Sequence, residues 1–453
     1  MTATSMPLRI VHLAGTPNGA PWLIGILKEQ KRRGHDVRAV IASRDGTIAP
    51  ALEREGIPFE TMYLGLSERG SSIDAGRRIF VVARYLRSLR ADVVMYHLFP
   101  SIVIGRLASW LADAPLRFSM IPSPLFLQSP YLSDIEAATA WADTRVIATC
   151  ENTRTLYRER NIANGKVEMT YYGVDPAAFD PAAASRQKFR QELGISEDTP
   201  VIGMVAYFYA PNQNQFMTPS FMIGRGAKGH EVLFEAIPRV LAEFPNAKFV
   251  LVGKGWLPPG LEYEQVLRNM VAGMGLSNSV IFAGERTDIP DTLAAFDIAL
   301  QCSLTENLGG SIEGLLMERP MVVTRVGGFT DSVLHEKTGL LVPHSDPRAL
   351  SDAILRLLRD PAFAQTLGAN GRRWMVERFT LQRTCDDLDE IYQRCAPKRR
   401  RGYSRIRMVL RALQLPFRVA PMTFKMELAR FKNLTLRRIA GGLKRRLLRR
   451  QPA

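Results

Sequence analysis

Residues 303–328 read SLTENLGGSIEGLLMERPMVVTRVGG. The apolar run at 298–302 just before this stretch predicts a buried strand, and 321–324 inside it predicts another. Between them Glu306 precedes the pair Gly309-Gly310, where a helix begins, and Glu313 falls in its first turns. The loop therefore sits at the carboxyl end of a strand, where open α/β sheets place their ligands. Glycines let the backbone approach a phosphate closely, and a helix N-terminus offers N–H groups and the positive end of a dipole. Two carboxylates beside such a cradle suit the vicinal hydroxyls of a sugar-nucleotide. Acids in a first turn also complement a helix dipole, and loop glycines need no ligand, so both readings stand at this level.

Outward from this stretch the same alternation repeats. Strands are predicted at 201–207, 249–252, 280–283 and 339–342, and the run at 249–252 closes on Gly253-Lys-Gly255. Lys228-Gly229-His230 opens a helix in which Val232, Leu233, Ala236, Ile237, Val240 and Leu241 share a face, after a polar insertion at 210–226. Earlier in the chain, strands are predicted at 8–13, 37–42, 59–62, 93–95, 117–121, 145–149 and 167–171. A glycine loop, Gly15 to Gly19, follows the first of them. This pattern predicts an α/β protein of two Rossmann-like, doubly wound parallel-sheet domains, at 1–180 and 199–371, with a linker at 181–198 and a cleft between them.

Composition narrows the function classes. Nothing comes near the roughly 18 consecutive apolar residues of a spanning helix, and the N-terminal apolar run is too short for a signal-peptide core. A cytoplasmic protein is expected. Cys150, Cys302, Cys385 and Cys395 form no Cys-x-x-Cys pair, which predicts incidental thiols and no metal site. The net charge of +16 is local: residues 397–453 carry 18 Lys and Arg against Glu427 alone, which is +17 and leaves −1 for the rest.

Taken together, these motifs resemble the GT-B glycosyltransferases of family 4. The resemblance rests on Glu306, Gly309-Gly310, Glu313, Pro320-Met-Val-Val-Thr324 and Gly327-Gly328. It continues in Asp331-Ser-Val333, Thr338-Gly-Leu-Leu-Val342, Lys228-Gly229 and Tyr172-Gly-Val-Asp175. It implies transfer of a hexosyl unit from a nucleotide-sugar to a glycan or lipid-linked acceptor in polysaccharide or glycoconjugate synthesis, with retention, without a metal or cofactor, the nucleotide-sugar being a substrate. It also implies a segment at 372–396 that crosses back to the first domain. Glu313 would hold the ribose, Glu306 with Gly309 and Gly310 would contact the donor sugar, and Lys228 would neutralise the diphosphate. Gly229, Asn307 and Ser311 join the donor-side set, and Arg225 is a second candidate cation. Three departures accompany the resemblance. Only six residues separate the two glutamates where the family has seven, Ile223 stands where its arginine is usual, and Pro122-Ser-Pro124 replaces its N-domain histidine. His97, His12 and Gly15 are the remaining candidates on the N-domain side of the cleft.

The tail, residues 397–453, reads as basic and amphipathic, with Ile406, Leu410 and Leu413 on one face and Phe424, Leu428 and Phe431 on another. It predicts an anionic membrane surface as partner, hence peripheral attachment to the inner face, ahead of nucleic acid or a solubilising role. Two other function classes remain: sugar-nucleotide epimerisation or hydrolysis on the same fold, and a non-catalytic basic membrane or nucleic-acid adaptor.

Overall fold

The computed structural model describes residues 7–65, 72–214, 218–397, 404 and 406–420. Of the basic tail, Phe424, Leu428, Phe431 and everything else after 420 lie outside the described residues.

The apolar runs become thirteen strands in two sheets. The first sheet contains β1 (Arg9–Ala14), β2 (Asp36–Ile41), β3 (Phe59–Thr61), β4 (Val93–His97), β5 (Leu116–Ile121), β6 (Arg145–Ala148) and β7 (Val167–Met169). The second contains β8 (Val201–Val205), β9 (Lys248–Val252), β10 (Val280–Gly284), β11 (Ile298–Gln301), β12 (Met321–Thr324) and β13 (Leu340–Val342). Every strand predicted from the sequence lands on one of these. The orders are β3-β2-β1-β4-β5-β6-β7 and β10-β9-β8-β11-β12-β13, all parallel. Both are Rossmann-like, doubly wound arrangements, with helices supplying the crossovers. Strands buried on both faces explain why the sequence shows continuous apolar runs and no alternation: β4, β11 and β12 have every residue buried.

The chain passes between the sheets twice, at 173–174 and 379–381, and the two passages are tied together. Val174 N–H donates to the Phe379 carbonyl (3.0 Å), and Leu381 N–H donates to the Val174 carbonyl (3.1 Å). The helix Leu381–Cys395, capped by the Thr380 side chain, then lies on the first sheet, where Cys385, Leu388, Ile391 and Tyr392 pack with Ile10, Ile26, Val93 and Phe118.

The carboxyl ends of the two sheets face each other. Loops after β1, β5 and β6 meet loops after β9, β11 and β12: Gly19 lies close to Trp256, and Thr305 Oγ1 donates to Gln128 Oε1 at 2.7 Å. The helix Glu151–Glu159 is capped from the opposite lobe, because its Glu151 N–H donates to Asp331 Oδ2 at 2.7 Å. A cleft lined by six strand ends follows directly from the topology.

Candidate functional site

The second lobe supplies a half-buried charge cluster. Lys228 stands two residues before the helix His230–Leu241, and Glu306 stands in the loop after β11. Gly229 has φ of 69°, and a Cβ there would lie 2.2 Å from the Cys302 carbonyl oxygen, so only glycine brings Lys228 down onto the end of β11. Leu304 N–H donates to the Ala227 carbonyl at 2.9 Å and locks the two segments. Lys228 Nζ then pairs with Glu306 Oε2. Burial opposes the charge on Lys228, but the Glu306 carboxylate outweighs it and raises the ammonium's pKa. Tyr209 sits beside the pair, its ring centroid 5.7 Å from Lys228 Nζ.

Glu306 is itself fixed. The Asn307 N–H donates to its Oε1 (3.1 Å), and the Ser303 hydroxyl donates to its Oε2 (3.3 Å). Behind it, a Cβ on Gly327 would fall 1.7 Å from the Glu306 carbonyl oxygen, and φ at Gly327 is 51°, so this glycine lets the loop after β12 close against the loop after β11. Gly309 backs onto the Glu306 side chain and Gly310 onto Gln301, whose amide donates to the Val205 carbonyl at 3.0 Å.

Glu313, in the short helix Ser311–Leu316, completes the cluster. Burial raises its carboxyl from an ordinary 4.5 to about 7, and the Glu306 charge adds to the rise while a backbone hydrogen bond and Lys228 oppose it. Its Oε2 is enclosed without a hydrogen-bond partner, and so is Asn307 Oδ1. Orphaned buried acceptors cost stability and are rare in folded proteins. Here two of them lie one and seven residues after Glu306, the carboxylate that pairs with Lys228. The arrangement is suited to accept hydroxyl donors and to meet an anion with Lys228.

Other predicted residues are placed differently. Arg225 is exposed and donates to Ser345 Oγ at 2.8 Å, while the Glu306 carboxylate is taken by Lys228. Ser311 is fully buried; its amide donates to the Leu308 carbonyl, and its hydroxyl pairs with Ser332 Oγ at 2.8 Å. Its side chain therefore serves the turn. Gly15 N–H donates to Ser101 Oγ at 3.0 Å, in the loop after β1. His12 and His97 are both fully buried and stack on each other, with His12 Nδ1 2.9 Å from His97 Nε2 and His12 Nε2 2.8 Å from Gln30 Oε1. Gln30 donates to Tyr392 Oη at 3.1 Å, so this chain of contacts runs to the helix that crosses back. Burial lowers the His12 pKa to about 4 and lowers that of His97 as well, holding both neutral. Neither ring opens onto the cleft, because the strands that carry them turn those side chains into the interior.

The sequence reading missed several residues at the lobe junction. Trp256 packs edge-on against Tyr207 (centroids 4.8 Å) and approaches Tyr209 and the Gly19 backbone. Gln128 and Thr305 bridge the lobes, and Pro124 faces Gly327 from across the cleft. Aromatics at 207 and 209, just beyond the end of β8, were the available signal. Gln128 had none. Among the described residues no group of three or more His, Cys, Asp and Glu could hold a metal ion.

Comparison with known proteins follows this geometry. Residues 220–360 match the family model described as glycosyl transferases group 1, and residues 25–173 match that of the glycosyl transferase 4-like domain. The chain is 31% identical over 232 residues to a GDP-mannose-dependent monoacylated alpha-(1-6)-phosphatidylinositol monomannoside mannosyltransferase of Corynebacterium glutamicum, covering 49% of this chain and 54% of that one. The chain thus spans about half the length of that relative. It is 26% identical over 333 residues to a 2-deoxystreptamine glucosyltransferase of Streptomyces kanamyceticus, covering 68% and 79% of the two chains. Among solved structures, Anabaena HepE in complex with UDP-glucose superposes with a TM-score of 0.71 at 21% identity, over 85% of this chain and all of that one.

Proposed function

The chain belongs to the family 4 glycosyltransferases of GT-B fold, and from that premise we propose that it moves a hexosyl unit from a nucleotide-sugar to a glycan or lipid-linked acceptor with retention at the anomeric carbon. The donor binds mainly in the second lobe and the acceptor mainly in the first, the chain passing between them at 173–174 and at 379–381. The observation that carries this reading is the Lys228–Glu306–Glu313 cluster with its unsatisfied acceptors. Ribose hydroxyls donate to Glu313. The donor sugar's hydroxyls reach Glu306, the Asn307 side chain and the backbone around Gly309 and Gly310. Lys228 turns from Glu306 to the diphosphate and offsets the charge that grows there as the anomeric carbon–oxygen bond breaks. In this scheme Lys228, once turned from Glu306, supplies the positive charge that the departing diphosphate needs, and no step is assigned to a metal. Arg225 reaches the site only if it exchanges Ser345 for the diphosphate.

A reducing compartment suits four free cysteines, three of them buried. No helix among the described residues is long and apolar enough to cross a membrane. The basic segment 397–453 brings the protein to an anionic leaflet as a peripheral enzyme, which suits an acceptor carried on lipid. The test is thermal shift and product analysis with UDP-, GDP- and ADP-sugars. One of these is expected to stabilise the wild type and to give a glycosylated product, with both effects lost in Lys228→Ala. Transfer at the wild-type rate by that variant overturns the assignment.

A further inference from the structure

The helix over 406–420 is apolar on two opposed faces. Met408, Ala412, Leu415 and Val419 recur at i, i+4, i+7 and i+11 and pack against the core of the first lobe. Arg407 and Arg411 both reach Asp113, at 2.6 and 3.0 Å, and the Arg418 guanidinium lies 4.6 Å from the centre of the Trp141 ring. Arg87 ties down the preceding chain by donating to the Ser404 carbonyl at 3.1 Å. The helix is thus fastened to the lobe by contacts along its length.

About half a turn round, at about 100° per residue, a second stripe points outward. It consists of Ile406, Val409, Leu410, Leu413 and Phe417; Phe417 is 83% exposed and Ile406 74%. A surface helix that has buried one apolar stripe ordinarily turns polar residues to water, and a contiguous exposed apolar patch marks an interaction site. The chain that follows supplies the sign of the partner. Residues 421–453 carry ten Lys and Arg against Glu427 alone.

We propose that the Ile406–Phe417 ridge is a preformed membrane-insertion surface. In this arrangement the five apolar side chains enter the headgroup–acyl boundary of an anionic bilayer, and the basic chain beyond 420 neutralises the lipid headgroups. A second copy of this chain is the weaker occupant, because pairing two ridges brings two strongly cationic segments together. Nucleic acid answers the charge but offers nothing to bury Phe417 and Leu413. The inference deepens, and rests on, the reading of a lipid-linked acceptor: because the ridge is fastened to the acceptor-side lobe, it holds that lobe at the surface where such an acceptor resides.

Flotation of the full-length protein with phosphatidylcholine vesicles, with and without phosphatidylglycerol, tests this. The wild type is expected to float with the anionic vesicles only. Leu413→Ser/Phe417→Ser, which alters exposed positions and leaves every charge in place, is expected to lose at least about tenfold in partitioning, with an unchanged Tm. Equal flotation of the double variant overturns the proposal in favour of charge alone. So does a wild type that floats with neither vesicle, one that is a dimer dissociated by the double variant without vesicle binding, or one that binds duplex DNA as the variant does and ignores vesicles. Stabilisation by nucleotide-sugars is read on the same samples. Its loss with vesicle binding intact indicts the transferase site, and its retention without vesicle binding indicts the ridge.

Discussion

Each lobe sets a cation among two carboxylates, fully buried in the first lobe and half-buried in the second, and the two clusters use that chemistry to opposite ends. In the first lobe Arg106, fully buried on the helix Ser101–Leu111, spends all its N–H groups: on Asp143, on both oxygens of Glu136, on Thr139 and on Ser119, at 2.7 to 3.1 Å. The acids are in turn capped by Tyr96, Tyr157 and Ser119. Every valence is used, and the cluster has nothing left for a ligand. In the second lobe Lys228 has one carboxylate partner, Glu306, while Glu313 Oε2 and Asn307 Oδ1 have none. A closed network fixes a fold, whereas one left open carries a cost that a bound molecule can relieve. The two clusters differ in burial and in their unpartnered acceptors, while sharing the same charge pattern.

That comparison can be broken first at Arg106. Arg106→Met strands Glu136 and Asp143 without a cation, and a loss of about 3–5 kcal/mol in urea-measured stability is expected; a loss under about 1 kcal/mol would mean the closed network is no keystone. Lys228→Ala should show the reverse profile. We expect kcat/KM to fall by about 10²–10³, as for removal of one preorganised transition-state donor, with Tm nearly unchanged because Ser303 and the Asn307 amide still hold Glu306.

Glu313→Gln sharpens the contrast through pH. The native carboxyl, raised to about 7, keeps a proton that the unfolded chain has already released. Its contribution to stability is therefore full below about 4.5 and is lost as pH rises through about 7. The glutamine variant lacks that slope, so its stability relative to wild type should grow between pH 5 and 7 and then level off, by on the order of 1–3 kcal/mol. Its affinity for the nucleotide-sugar should fall several-fold, and wild-type affinity should rise from pH 6 to pH 8 as Glu313 ionises. Parallel pH–stability curves for the two proteins would contradict the open-acceptor reading. The smallest effect is expected at the lobe junction, where Thr305→Val removes one bond to Gln128, costing about 1 kcal/mol and appearing in KM more than in kcat.

The sheets were legible because strands buried on both faces leave uninterrupted apolar runs; Glu306 and Glu313 stood out beside a glycine pair, and Lys228 only through its place in the family resemblance. What stayed hidden depends on distant partners. Arg106 lies inside SIVIGRLASWL with acids 30 and 37 residues downstream, and nothing local says they meet. His12 and His97 end up facing each other through the register of β1 on β4, where His12 pairs with Met95 and Ala14 with His97. Arg225 lies two residues past the position where the family has its arginine, and its contact with Ser345, 120 residues on, had no local signal. In the tail, Ile406, Leu410 and Leu413 were legible as one stripe. The opposite stripe was not, because only packing against the first lobe distinguishes Met408, Ala412 and Leu415 from it.

On the reading proposed above, Lys228, Glu306 and Glu313 hold the nucleotide-sugar. A crystal structure with the nucleotide-sugar that gives the largest thermal shift tests it most directly. Ribose hydroxyls are expected within hydrogen-bond distance of Glu313 Oε2, with Lys228 Nζ moved from Glu306 onto the diphosphate. A ligand bound elsewhere, with the Lys228–Glu306 pair intact and Glu313 Oε2 still unpartnered, would contradict it.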